Sequence, residues 1–309
     1  AASTFGFYFP VYDQVPGVLG VVGRVRMFYP ESPIHLLQDG GPVDFGPLCA
    51  LPQYACTFEV VQGENSRWNP HSWFARMRAA ALRLHTTFLI YLEPDVLVRR
   101  RHITEPQHDA GGIFDNYNPA VHEETVAYVE RRGRERVPCF QLEWKHFGLA
   151  GGSYFRAEAV IDAFDPAHVQ RIDWGPMQWR EGDKTMSSDF AMVVALACRG
   201  WKVSPWNESA QNFERRGLPP DEAGREEFRR QWPAYNPSAA FEHDHKEHYS
   251  DTVPEEHVRL VRELPQTPQT CHGCIWYGAE GVRLPGPEPP RPPRAEDWYV
   301  SWLLTPDLA

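Results

Sequence analysis

The chain has 309 residues, 42% of them hydrophobic, enough for a sizeable core in one large domain or one domain with an appendage. Its 41 acidic against 31 basic residues give a formal charge of −10, the wrong balance for a nucleic-acid partner, and the basic clusters RRRH (99–102) and RRGRER (131–136) read as solvated faces. The longest apolar run, FAMVVALAC at 190–198, falls short of the about 18 residues that a membrane span needs.

The first hundred residues alternate strand-like and helix-like stretches. STFGFYFPV reads as a strand ending at Pro10, and PGVLGVVGRVRMFYP as a helix whose Val18, Val21, Val22, Val25 and Met27 share one face. SPIHLLQDGG is a second strand stopped by Gly40 and Gly41, and ACTFEVVQG a third. NPHSWFARMRAAALRLH is the clearest helix: Asn69 and Pro70 open it, and Trp73, Met77, Ala80, Ala81 and Leu84 form its apolar face. TTFLIYL follows as the central strand and runs into Glu93-Pro94-Asp95. This order predicts a mostly parallel sheet with helices on both faces. Ligands of such sheets sit beyond the carboxyl ends of the strands, which gathers Pro10, Tyr12, Asp13, Asp39, Glu93 and Asp95 on one rim.

The second half is less regular. FGLAGGSYFRAEAVIDAF reads as a strand, a glycine turn and a helix. A loop containing WGPMQW then leads to a helix from about Ser188, a turn at Gly200 and a strand through KVSPW. RGLPPDEAGREEFRRQWPAYNPSAA is polar and loop-rich, and the proline-dense GVRLPGPEPPRPPRAEDW suits an extended strap. The tail WYVSWLLTPDLA is apolar enough to dock on the body. Six cysteines permit disulfides without demanding them. Cys198, inside the apolar run, reads as a buried thiol. CHGC at 271–274 has the spacing of a metal or redox pair, a local disulfide or two free thiols.

Four constellations carry chemistry. In Glu93-Pro94-Asp95, one carboxylate can ligate a hard divalent cation, while the other binds it through water or accepts a sugar hydroxyl. A solvated turn is the plain alternative, with proline tolerated where the chain leaves the sheet. GLAGGSYFR, with Gly151 and Gly152, is a tight turn that also admits close backbone approach to a ligand. In KTMSSDFAM, Asp189 lies in the first turn of a helix, where it complements the dipole and also has the chemistry of a general base. FEHDHKEHY at 241–249 packs three histidines and three acids into nine residues, all of them types that ligate divalent ions.

Taken in order, these stretches resemble the nucleotide-sugar glycosyltransferases of the GT-A fold. WFARMRAAALRLHTTFLIYLEPDV is similar to that family's helix, apolar strand and Asp-x-Asp-like acidic motif, and FGFYFPVYDQ and FYPESPIHLLQDGG to its nucleotide-binding half. The resemblance covers roughly residues 3–250. It implies an α/β, Rossmann-like fold with a mixed, mostly parallel central sheet flanked by helices. Residues 1–250 would form the catalytic domain, with a nucleotide-binding half (1–100) and an acceptor half (101–250), and 251–309 a loop-rich C-terminal extension.

The resemblance also implies roles. Pro10, Tyr12, Asp13, Asp39, Arg76, Arg78, Glu93, Gly151 and Gly152 would line the donor. Asp95 and His243 would hold Mn2+ or Mg2+, with His245 a competing ligand. Lys246, three residues after His243, would meet the diphosphate, although Asp244 stands where the family often has Gly. Asp189 would be the base in an inverting reaction. Trp174 or Trp179 would stack on the acceptor, or pack in the core. The implied partners are a nucleotide-diphospho-sugar, a UDP-sugar above others, and a saccharide or glycoprotein acceptor. Two other readings remain open: a non-catalytic carbohydrate- or metal-binding protein on the same fold, and a nucleotidyltransferase. The chain has no glycine-rich phosphate loop of the G-x-G-x-x-G or P-loop type.

Overall fold

The structure is a computed structural model that describes residues 4–61, 70–114, 127, 130–137, 139–141, 147–174, 179–181, 184–186, 188–211, 223–224, 226, 236, 238–243, 253–263, 274–277 and 283–284. The strands are β1 (Phe5–Val11), β2 (Ile34–Asp39), β3 (Thr57–Val61), β4 (Phe88–Tyr91), β5 (Leu97–Val98), β6 (Ala110–Phe114), β7 (Phe147–Gly148), β8 (Tyr154–Arg156), β9 (Trp179–Glu181), β10 (Lys184–Met186), β11 (Val203–Pro205), β12 (Ser209–Gln211), β13 (Phe241–His243), β14 (Cys274–Tyr277) and β15 (Arg283–Leu284). The helices are α1 (Val15–Phe28), α2 (Gly46–Cys49), α3 (Pro70–Leu84), α4 (Ala157–Ala163), α5 (Pro166–Val169), α6 (Ser188–Ala197) and α7 (Glu255–Glu263).

A ten-stranded mixed sheet is ordered β11-β6-β8-β4-β1-β2-β3-β14-β15, with β7 paired to β6. Strands β4, β1, β2, β3 and β14 are mutually parallel, and β8 runs antiparallel to both β4 and β6. The expected architecture of a mostly parallel sheet between helices is therefore present. Strand alternation builds its two cores. Phe5, Phe7, Phe9 and Val11 face α1, α2 and α7; Tyr8, Leu89 and Tyr91 face α3, α4 and α6. A central strand buried on both faces needs apolar residues at nearly every position, which is why FGFYFPV and FLIY read as runs.

Pro10 lies inside β1 without breaking the ladder. The Thr4 and Tyr8 carbonyls accept from Phe88 and Leu92, so even-numbered residues of β1 point toward β4. The pairing with β4 ends at Tyr8, so Pro10 faces that side after β4 has turned away and no donor is required there.

Several expectations change. Met27 is 40% exposed and lies outside the buried face of α1 formed by Val18, Val21, Val22 and Val25. Cys198 is not a free thiol: it is disulfide-bonded to Cys139, with Cα atoms 5.6 Å apart, and Cys49 is bonded to Cys56. The apolar run around Cys198 reflects the buried helix α6, whose end that bond ties to the segment at 139. The loop before α6 contains the hairpin β9–β10. Past residue 250, α7 buries Val258 and Val261 against the α1 side of the core, and β14 adds to the edge at β3. Cys271, the strap apart from Arg283–Leu284 (β15) and the final tail lie outside the described residues.

Candidate functional site

The acidic exit from β4 is a closed turn. Leu92 donates to the Tyr8 carbonyl at 2.9 Å, and Val96 N–H then donates to the Glu93 carbonyl at 3.1 Å. Pro94 occupies the second position of this turn, where its fixed φ is pre-organised. The chain enters β5, which pairs antiparallel with β13 in the register Phe241↔Val98 and Glu242↔Leu97. One step further along that register sets His243 opposite the acidic turn.

Glu93, Asp95 and His243 converge there, each offering a ligand atom within 4.8 Å of the others. His243 Nε2 lies 2.9 Å from Glu93 Oε2 and 3.6 Å from Asp95 Oδ1. Bonds of about 2.1 Å to an octahedral cation put neighbouring ligand atoms roughly 3 Å apart, so the three residues already stand near the spacing of a filled coordination shell. His243 Nδ1 is buried without a hydrogen-bond partner among the described residues, and Nε2 is the nitrogen that faces the two carboxylates. One nitrogen and two carboxylates suit a divalent cation such as Mn2+ or Mg2+.

Glu93 is held from three sides. Its Oε2 accepts from Gly151 N–H at 2.9 Å as well as facing His243, and its Oε1 accepts from the Tyr91 hydroxyl at 3.3 Å. Gly151 is required by proximity: a Cβ there would stand 2.5 Å from a Val96 methyl and 2.9 Å from Glu93 Oε2. Gly152 has φ +90°, in the left-handed region, and a Cβ on it would lie 2.7 Å from Phe241 Cβ. The glycine turn thus seats both the acidic turn and the histidine strand.

Charge follows this geometry. Burial, the largest influence on His243, lowers its pKa, but the charge and hydrogen bond of Glu93, then Asp95 and Asp189, outweigh it and lift the imidazole to about 9. Burial raises the Glu93 carboxyl, and His243, Gly151 and Tyr91 more than reverse this, leaving it below its ordinary value. Burial, then Glu93, Tyr8 and Asp189, push the Tyr91 phenol well above its usual range. A raised histidine stabilises the fold fully below its unfolded pKa of about 6.5 and loses that contribution as pH rises toward its folded value. In metal-free protein, the difference in urea midpoint between wild type and His243→Gln is therefore expected to be larger at pH 6 than at pH 9. A constant difference over that range would contradict the pairing.

The other expected residues divide. Asp39 ends β2 and forms a buried ion pair with Arg76 of α3, so the structure sets these two against each other at the rim. Removing one member of such a pair costs about 3–5 kcal/mol, and an apolar replacement of both costs far less. Urea unfolding of Arg76→Ala should show a loss of that order, and Asp39→Ala/Arg76→Met should recover most of it; equal losses would contradict strong coupling. Tyr12 and Asp13 are exposed just past β1. Asp189 lies in the first turn of α6, near enough to bias both Tyr91 and His243.

Arg78 corrects the donor-lining expectation. It donates to the Ile161 carbonyl at 2.8 Å and pairs with Asp165 at 3.1 Å, holding α3 onto α4 and α5. Two positions after Arg76, it projects from a different face of the helix. Of the two readings of Trp174, packing in the core is the one observed: it is 2% exposed, donates to the Val169 carbonyl at 2.8 Å and packs on Phe74. Trp179 lies in β9, opposite Met186. His245 and Lys246 lie outside the described residues. Sequence reasoning missed Tyr91. The signal was strand period: Tyr91 and Glu93, two apart, project to the same side.

No protein-family model and no curated protein matches the chain. Among solved structures it is similar to the galactosyltransferase LgtC in complex with donor and acceptor sugar analogs, at 15% identity over 85% of this chain and 98% of that one, with a TM-score of 0.48. It is also similar to the apo form of the bifunctional glycosyltransferase WbbM, at 10% identity over 79% of this chain and 46% of that one, TM-score 0.45. A third is glucosyl-3-phosphoglycerate synthase from Mycobacterium tuberculosis in complex with Mn2+, UDP and glucosyl-3-phosphoglycerate, at 12% identity over 51% and 58% of the two chains, TM-score 0.33.

Proposed function

We propose that the protein is a divalent-metal-dependent glycosyltransferase that moves a sugar from a nucleotide-diphospho-sugar, a UDP-sugar above others, to a saccharide or glycoprotein acceptor. The observation that carries this reading is the convergence of Glu93, Asp95 and His243 at the carboxyl-end rim of the parallel sheet, where such folds bind ligands. The order of acidic turn, glycine turn and acid-led helix along the chain supports it.

Asp95, His243 and Glu93 would hold Mn2+ or Mg2+, which supplies charge neutralisation for the departing diphosphate. The acceptor oxygen bonds to the anomeric carbon as the bond from that carbon to the diphosphate oxygen breaks, and the diphosphate leaves with the electron pair. If the configuration inverts, Asp189 takes the proton from the attacking hydroxyl. Asp39 and Arg76 would wall the nucleotide side, and Lys246 would add positive charge at the diphosphate.

A panel of UDP- and GDP-sugars incubated with the protein, with and without Mn2+, tests the reading. Slow Mn2+-dependent hydrolysis of one donor is expected. If no donor is hydrolysed and Zn2+ binds tightly, a non-catalytic metal-binding protein is the better account.

A further inference from the structure

We propose that Gly17, on α1, is a positioning residue for the cation site: its missing side chain lets the helix backbone lie against Pro94 and so fixes where the acidic turn presents Glu93 and Asp95. The inference rests on the metal-site reading above. A Cβ built on Gly17 would fall 2.5 Å from the Pro94 carbonyl oxygen, 3.0 Å from Pro94 Cβ and 3.2 Å from the Pro94 carbonyl carbon. Two of those atoms are backbone, which no side-chain rotamer relieves. The opposite side of the turn is closed as well, because a Cβ on Gly151 would meet Val96 and Glu93. The turn is therefore gripped between two glycine backbones, one from the helix after β1 and one from the turn before β8.

This grip bears on chemistry rather than on packing alone. Pro94 lies directly between Glu93 and Asp95, so any displacement of its carbonyl is passed to both carboxylates. Glu93 Oε2 lies 2.9 Å and Asp95 Oδ1 3.6 Å from His243 Nε2, and an octahedral site tolerates only a few tenths of an ångström of ligand error. Helix propensity pulls the other way: in a helix, Ala is favoured over Gly. A purely structural role and a positioning role thus move different observables.

Gly23 supplies the control. It lies on the same helix, and among the described residues a Cβ there would meet a Tyr54 ring carbon at 3.5 Å, an ordinary contact, and nothing nearer. Mn2+ alone, titrated into protein and followed by the electron-paramagnetic-resonance signal of free Mn2+, gives a readout independent of turnover. Gly17→Ala is expected to bind Mn2+ about tenfold more weakly, and Gly23→Ala as wild type does, with urea midpoints measured for both. Pro94→Gly, which removes the Cβ from that contact and frees the φ that the ring fixes, keeps the test open if Gly17→Ala does not fold and is expected to weaken binding several-fold. Wild-type affinity in Gly17→Ala or Pro94→Gly, alongside loss in Asp95→Asn, overturns the positioning role and leaves the metal site standing. Absence of Mn2+ binding by wild type overturns both.

Discussion

Asp95→Ala is expected to abolish metal-dependent transfer while the protein stays folded. The Asp95 side chain is 14% exposed, at the rim rather than in the core, and its carboxylate sits 3.6 Å from His243 Nε2. Its loss leaves Glu93 and His243 hydrogen-bonded to each other, so the local backbone keeps its clasp. What disappears is one of the two carboxylates proposed to ligate the cation. Charge stabilisation by a bound metal contributes several kcal/mol to a transition state, and each 1.4 kcal/mol or so is a factor of ten. A fall in kcat on the order of 10^2- to 10^4-fold is expected, with a near-wild-type circular dichroism spectrum and urea midpoint. Full activity in this variant would remove Asp95 from the metal site.

Asp189→Asn carries the second large effect. Asp189 opens α6, and its negative charge reaches both His243 and Tyr91. Asparagine keeps the size of the side chain and its capacity to accept backbone hydrogen bonds at a helix start, and it removes the basicity. If Asp189 deprotonates the acceptor, kcat falls about 10^2- to 10^4-fold, with the donor KM little changed and Mn2+ affinity close to wild type. The product should then be the inverted anomer, read by proton NMR. A variant with near-normal kcat, or a retained anomer, assigns Asp189 to the helix terminus alone.

How much of this was legible in the sequence follows from burial and strand length. The strands β1, β2 and β4 are covered on both faces, so their apolar runs stand out from the chain. Helix α3 is legible because every expected face residue, from Trp73 to Leu84, is buried. By contrast β5, β12 and β13 have two or three residues each, too few to show a period, and β6 is AGGIF, whose Gly111 has no side chain because the Tyr154 ring occupies that space. Sheet pairing makes these segments strands.

The site divides in the same way. An acidic pair after an apolar strand marks Glu93 and Asp95 from residue order alone. Nothing local in FEHDHKEHY distinguishes His243 from its neighbours; its place is set by β13 pairing with β5, some 140 residues earlier. Nor does order reveal that Glu93, expected beside the sugar, faces His243 directly and is steadied by Tyr91 and Gly151. Arg78 misleads and Trp174 leaves two readings open because a cation two residues from Arg76 and a tryptophan in a glycine-proline loop have the right chemistry, while their tertiary partners, Asp165 and Phe74, use them elsewhere.

Glu93, Asp95 and His243 are proposed to form a cation site for a nucleotide diphosphate. A crystal soaked with Mn2+ and UDP tests it most directly, through anomalous scattering at the manganese edge. The predicted result is one strong peak lying between Asp95 Oδ1, Glu93 Oε2 and His243 Nε2, with diphosphate density on its open side. A peak elsewhere on the chain, with His243 still hydrogen-bonded to Glu93, would contradict the account.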